Sequence, residues 1–343
     1  MKRFWLHVHT APNIGRASRT CDAPRRSPWC DPPDGLTLTH DDVHVWRVAL
    51  EAHEGVARQL EGSLAADEQL RADRFELARD RRRFVVRRGA LRVVLGWYLG
   101  TSPERLQFEC NRYGKPSLAA QAGVLPIRFN LAHSADLAVI AVTHGREVGV
   151  DVERLDTRFD SLEIAERFFS PDEAAALRGR SPSAQTQAFF HCWTRKEAYL
   201  KALGLGVTWP LDRFEVSVSP GHAALLSVCD DPAELSRWSV QDLNPEPGYV
   251  GALVFESHTW VPPALNRDPR RRGFYGRHSR ERCDLLGGQR GLGPHPAVVL
   301  RRANRSGDLR GEGGRPPKVQ NMALRFRSGE AGAGTGAPSG QDV

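Results

Sequence analysis

The sequence predicts an α+β protein in which short strands joined by tight turns pack against long helices. Three stretches carry that prediction. They are the strand-like run VHVWRVAL at 43–50, apolar residues at helical spacing over 66–99, and a chain of strands from 127 to 154 with a helix over 187–206 further on. At 343 residues and 40% apolar composition the chain can bury one large core or two medium ones.

Residues 11–42 are rich in Pro, Asp, Arg and Ser, and 1–42 reads as an irregular extension. The folded part begins at 43, where Val43, Val45 and Arg47 alternate with His44, Trp46 and Val48. From about Ala66 to Leu99 a helical region is expected, with Phe75, Phe84, Leu91, Val94, Leu95 and Tyr98 near helical spacing. Between them stand Arg79, Arg81, Arg82, Arg83, Arg87 and Arg88, which suit either a solvated basic face or a grip on a polyanionic ligand. RLQFECNRYGKPSL (105–118) gives a short strand and then Gly-Lys-Pro in a turn, where an intervening Lys is ordinarily solvated.

IRFNLAHSADLAVIAVTHGREVGVDVERLD reads as three successive strands, with turns around Ser134-Ala135-Asp136 and His144-Gly145-Arg146. Side chains alternate along a strand, so Asp151 and Glu153 point one way while Val150 and Val152 face the core. An ordinary solvated strand end is the simpler explanation of any such pair, unless another group converges on it. SLEIAERFF reads as a helix. In SPDEAAALRG, Ser170 caps a second one, Pro171 takes its first position and Glu173 completes a capping box.

In QAFFHCWTRKEAYLKALGLG (187–206), Phe189, Phe190, Trp193 and Leu200 supply a core face and Gly204 or Gly206 ends the helix. Glu197 and Lys201 lie one turn apart on one face. They are either a surface ion pair or part of a site. If the helix crosses the strand end, Glu197 adds a third carboxylate to Asp151 and Glu153, and a hard cation such as Mg²⁺ relieves their repulsion. FEVSV, ALLSV, RWSVQDL and YVGALVF supply the later strands.

The formal charge of +7 suggests a nucleic-acid binder at first sight, but it is unevenly placed. Residues 261–343 hold 16 Lys/Arg against 7 Asp/Glu, and residues 1–260 hold 32 against 34. That tail also carries 15 of the 32 glycines and is expected to be disordered. The six cysteines, Cys21, Cys30, Cys110, Cys192, Cys229 and Cys283, form no CxxC pair. That spacing excludes zinc clusters and a disulfide-rich scaffold and leads to the expectation of a reducing, cytoplasmic setting. No apolar run reaches the roughly 18 residues of a membrane span, and HVHTAPNIGR breaks any signal-peptide core.

The order GKP, FNLAHS, VGVDVE, FFSPDE, FHCWTRKEAYLKALGLG resembles the 4'-phosphopantetheinyl transferases, in particular the monomeric, pseudo-dimeric surfactin-synthetase-activating type. The resemblance runs from about Val43 to Val254. It implies two similar halves related by a pseudo-two-fold axis, each a small antiparallel sheet packed with a long helix. The halves fall at 43–143 and 144–260, with the active site between them. It implies transfer of the 4'-phosphopantetheine arm of coenzyme A to a serine of an acyl or peptidyl carrier protein, with release of adenosine 3',5'-bisphosphate.

Carried over by position, Asp151, Glu153 and Glu197 match the family's magnesium ligands. Lys201 matches a lysine near the same phosphates, and Lys115 and His133 match coenzyme A phosphate contacts. Arg83 and Arg79 match residues that grip the 3'-phosphate. Glu197, directly or through a water, is the implied base, and Lys201 stabilises the leaving group. Ala132 departs from the pattern, because a Ser usually precedes this His, and Ser134 is an out-of-register replacement.

The implied partners are coenzyme A and a carrier protein, with no membrane or nucleic acid, and the implied state is a monomer. The rival readings are a catalytically inactive relative, a nucleic-acid-binding protein that uses the basic tail, and a Mg²⁺-dependent phosphohydrolase.

Overall fold

In chain order the protein runs β1 (Leu6–Thr10), β2 (Val43–Ala49), α1 (Glu54–Glu61), α2 (Ala66–Ala72), α3 (Ala78–Leu99), β3 (Phe108–Cys110), β4 (Pro116–Leu118), β5 (Ile127–Ser134), β6 (Leu137–His144) and β7 (Val148–Arg154). It continues α4 (Ser161–Phe168), α5 (Pro171–Arg178), α6 (Pro182–Leu203), β8 (Phe214–Val216), β9 (Leu225–Val228), α7 (Glu234–Arg237), β10 (Trp238–Leu243) and β11 (Tyr249–Glu256). These elements come from a computed structural model that describes residues 6–10, 29, 36–119, 126–156, 160–206, 209–229 and 231–257. The expectation for the tail at 261–343 lies outside the described residues.

The fold is α+β, with two sheet-and-helix halves of similar build. The first sheet has the order β1-β2-β6-β5 and the second β10-β11-β7, and every pairing is antiparallel. Alternation along the strands explains how they stack. Trp46, Val48, Ile140, Val142 and Phe129 enter a core with α3. On the other face Val43, Val45, Val139 and Ala141 meet Val148, Val150, Val152, Leu253 and Phe255 of the second sheet. Helix α6 covers the remaining face of that second sheet, against β7 and β11. The order of layers is therefore α3, first sheet, second sheet, α6.

One expectation needs correction. The segment 1–42 is not irregular throughout, since Leu6–Thr10 pairs with β2 as an edge strand. Trp29 is buried in the inter-sheet core, donates its indole N–H to the Asn244 carbonyl at 3.2 Å, and lies under the Arg47 guanidinium. The helical region expected over 66–99 forms as two helices, α2 and α3, with a break at 73–77. Glu68 of α2 pairs with both Arg88 and Arg92 of α3, so α2 must fold back beside α3 instead of continuing into it.

The capping box at Ser170 and Glu173 forms as its residues dictate. The strands β8 and β9 make a separate hairpin, while β10 and β11 join β7. Among the described residues no helix is long and apolar enough to cross a membrane.

Candidate active site

Strand β7 presents Val148, Val150 and Val152 to the first sheet, so Gly149, Asp151 and Glu153 face α6. The helix backbone lies almost on the strand at Gly149. An ideal Cβ there would stand 2.0 Å from the Ala198 carbonyl oxygen and 2.3 Å from the Ala202 nitrogen. Only glycine admits that approach, and it brings the last two turns of α6 over Asp151. The Lys201 ammonium donates to Asp151 Oδ1.

Glu197, one turn earlier, is buried. Burial pushes its carboxyl up to about 7, with the Lys201 charge opposing and the Asp151 charge adding to the rise. Burial alone would lower the Lys201 ammonium, but Asp151 and Glu197, with a further contribution from Glu153, hold it above its usual value. The four groups thus form one electrostatic set. With Glu197 ionised, three carboxylates against one ammonium leave two negative charges, a repulsion that adds to the rise of the Glu197 carboxyl.

Strand β5 braces β7 from the side. As the edge of its sheet, β7 turns backbone N–H groups outward, and side chains of β5 accept them. Asn130 Oδ1 accepts from the Val150 N–H at 2.9 Å and Ser134 Oγ from the Arg154 N–H at 3.1 Å. Ser134 Oγ also donates to Glu153 Oε2 at 2.6 Å. Ala132 shares this face of β5 and is core, so the hydroxyl absent at 132 is present one pleat further on, where it orients a carboxylate.

His133 is half-buried on the opposite face of β5, paired in register with Ala138. Trp193 packs against Phe189 and Phe169 and is core.

The other expected site residues stand apart from the carboxylates. Arg79 lies beside Asp80 at 3.3 Å, and Arg83 Nε donates to Glu51 Oε1 at 2.8 Å. Most of the arginine helix is similarly matched to acids, with Arg81 on Glu61 and Asp73 and Arg88 on Glu68. This neutralisation was invisible in the sequence because the acids come from 51, 61, 68 and 73.

Arg83 does act on the end of the sheets that carries Glu153. Burial would raise the Asp136 carboxyl, but a hydrogen bond from the Tyr249 hydroxyl, its own backbone N–H, and the Arg154 and Arg83 charges hold it below the usual range. Lys115 sits at the opposite end of β7. Its ammonium donates to Glu147 Oε2 at 2.9 Å, the Val148 carbonyl at 3.3 Å and the Ala202 carbonyl at 2.9 Å.

Sequence reasoning missed Glu173 as more than a cap. Its Oε2 pairs with the fully buried Lys196 ammonium at 2.8 Å and its Oε1 accepts from the Val216 N–H at 2.8 Å. Arg195 is equally buried and binds Asp242 through both Nε and Nη2. Glu197 is therefore preceded on α6 by two buried cations anchored in the second half. The lone signal was three consecutive charged residues, RKE, inside an apolar helix.

Among the described residues no three acidic, His or Cys side chains stand in metal-holding geometry. The donor chemistry nevertheless suits a hard divalent cation: all donors are carboxylate oxygens, and the set carries two net negative charges once Glu197 is ionised. Mg²⁺ takes one or two protein carboxylates and fills its remaining positions with water and substrate phosphates.

Residues 147–254 match the family model described as the 4'-phosphopantetheinyl transferase superfamily, and residues 52–145 match that of the 4'-phosphopantetheinyl transferase N-terminal region. The chain is similar to the 4'-phosphopantetheinyl transferase HetI of Nostoc sp., with 38% identity over 234 residues that cover 68% of this chain and 96% of that protein. It is also similar to the 4'-phosphopantetheinyl transferase Sfp of Bacillus subtilis, with 32% identity over 184 residues that cover 50% of this chain and 77% of that one. With β5, β6 and β7, the carboxylates of β7 and the charged turn of α6 inside the matched spans, the chain belongs to the 4'-phosphopantetheinyl transferase superfamily.

Proposed function

We propose that this protein is a transferase of the monomeric, surfactin-synthetase-activating type. It moves 4'-phosphopantetheine from coenzyme A to a serine of an apo acyl or peptidyl carrier protein and releases adenosine 3',5'-bisphosphate. The observation that carries the reading is the meeting of Asp151 and Glu197 at the Lys201 ammonium, with Glu153 in the same charge set.

Asp151, Glu153 and Glu197 would hold Mg²⁺, which when bound offsets the negative charge of the coenzyme A pyrophosphate. Lys201, next to those carboxylates, stabilises charge on the departing bisphosphate. Glu197, or a water it holds, accepts the proton of the carrier serine. Ser134 fixes the Glu153 carboxylate so that its orientation is set before substrate arrives. His133, Arg83 and Arg79 are the proposed contacts for the phosphates of coenzyme A. Arg83 has the firmer support, because its charge reaches the end of the sheets where Glu153 stands.

The test is intact-mass analysis of several apo carrier proteins incubated with the full chain, coenzyme A and Mg²⁺. A mass gain of one phosphopantetheine that requires Mg²⁺ and vanishes in Glu197→Ala supports the reading. No gain on any carrier, with coenzyme A binding intact, favours a catalytically inactive relative.

A further inference from the structure

The β3–β4 turn is built against the end of α6. Asn111 Oδ1 accepts from the Tyr113 and Lys115 N–H groups, which fixes the turn, and Asn111 Nδ2 donates to the Gly204 carbonyl at 2.8 Å. Gly204 ends α6 in the left-handed region, at φ 69°. An ideal Cβ there would stand 3.0 Å from Asn111 Nδ2 and 3.1 Å from Lys115 Cδ, so the two surfaces are in close contact.

From this turn the Lys115 ammonium reaches three acceptors: Glu147 Oε2, the Val148 carbonyl and the Ala202 carbonyl. The Lys115 side chain is only 16% exposed. Val148 opens β7, Glu147 immediately precedes it, and Ala202 lies in the last turn of α6. A cation on a carbonyl at a helix C-terminus also opposes the partial negative charge gathered there.

We infer that Lys115 is a positioning residue: it clasps α6 to β7 and so sets where Lys201 and Glu197 stand over Asp151. Ala202 adjoins Lys201 in sequence, and Val148 lies three residues before Asp151 on the same strand, a separation of roughly 10 Å. The clasp holds the start of β7 to the end of α6, and the Gly149 contact with Ala198 and Ala202 carries that hold up to Glu197 and Asp151. The role differs from phosphate binding in kind, because the ammonium's three hydrogen bonds are all made to the protein itself. The inference rests on the transfer reading for its kinetic consequence and on the geometry alone for its structural one.

The test compares Lys115→Met, Glu147→Gln and the double variant of the full chain. It measures kcat and KM for coenzyme A by intact mass, affinity for adenosine 3',5'-bisphosphate by calorimetry, and melting temperature. A clasp predicts that Lys115→Met lowers kcat on the order of tenfold to a hundredfold, the scale of a small misplacement of catalytic groups, and leaves KM and bisphosphate affinity within about twofold. Glu147→Gln then lowers kcat in the same direction and adds little in the Lys115→Met background. The proposal is overturned if Lys115→Met raises KM and weakens bisphosphate binding at unchanged kcat while Glu147→Gln is neutral or binds more tightly, as it would if Lys115 served the ligand.

Glu147 is more exposed than Lys115, so its variant keeps the question open to measurement if Lys115→Met fails to fold. If the wild-type chain transfers nothing, the transfer reading falls and melting decides the clasp. Coupled losses in Lys115→Met and Glu147→Gln support it, and strictly additive losses overturn it.

Discussion

Glu173→Ala tests the account of α6 most directly. Glu173 and Lys196 have side chains 3% and 0% exposed, so removing the carboxylate leaves an ammonium with no counter-charge in the interior. Breaking a buried pair from one side costs about 3–5 kcal/mol. Lys196 keeps the Leu211 and Phe214 carbonyls at 2.7 and 2.6 Å and the face of the Phe214 ring, which limits the loss. Against that, the buried Val216 N–H loses its acceptor, worth about 1–3 kcal/mol.

Because the two losses share one network and do not add, the expected total is near the top of the first range, about 5 kcal/mol. For a folded body of this size that lowers the melting temperature by about 10–20 °C.

Thermal and urea unfolding of the full chain reads the effect against two controls. Ser170→Ala removes the cap and leaves the pair, and should cost about 1 kcal/mol. Glu166→Ala removes the exposed partner of Arg178, the two side chains being 45% and 57% exposed respectively, and should cost well under about 1 kcal/mol. If Glu173→Ala is no worse than Ser170→Ala, Glu173 is a helix cap and nothing more, and the account of α6 as a helix anchored by buried charge is wrong.

Three further outcomes follow from the geometry. Gly149→Ala should force α6 off β7, with destabilisation of at least about 1–3 kcal/mol and a loss of transfer larger than the melting shift accounts for, read by melting and intact mass in parallel. Ser134→Ala should remove the hydroxyl that orients Glu153 and raise the Mg²⁺ concentration needed for half-maximal transfer by about tenfold or more, measured by titration at fixed coenzyme A.

Burial alone would raise the Asp242 carboxyl, but His191, Arg195 and the Gly221 N–H hold it below the usual range. Its contribution to stability is therefore present above the unfolded carboxylate pKa of about 4 and is lost as pH falls through the lower folded value. Asp242→Asn should be clearly less stable than wild type in urea near neutral pH, with the gap closing in acid. A gap that stays constant down to about pH 2 would sink the assignment.

Local rules made much of the fold legible. Period-two alternation gave β5, β6 and β7 and the side on which Asp151 and Glu153 stand. The capping box gave the start of α5, and the pair Gly204 and Gly206 marked the stop of α6, which falls at Gly204. What escaped depends on contacts between segments distant in the chain. The break between α2 and α3 follows from Glu68 meeting Arg88 and Arg92, and the matching of the arginine helix follows from acids up to 32 residues away. Ser134 looked like a misplaced hydroxyl until β5 was seen lying beside β7. Lys115 looked like a solvated turn residue or a ligand contact, and only the close approach of two segments 87 residues apart shows what its ammonium touches.

The core between the two sheets has a bearing on how the chain folds. Val43, Val45, Val139 and Ala141 from one half and Val150, Leu253 and Phe255 from the other bury one another, and the indole of Trp29 enters the same layer. Neither half owns that interior. A chain severed in the turn between β6 and β7 would leave each fragment with a bare apolar sheet face, and such a fragment would associate or aggregate instead of folding alone. Despite its two-fold build, the body should therefore melt in a single cooperative transition, and the two fragments expressed together should recover transfer that neither shows alone.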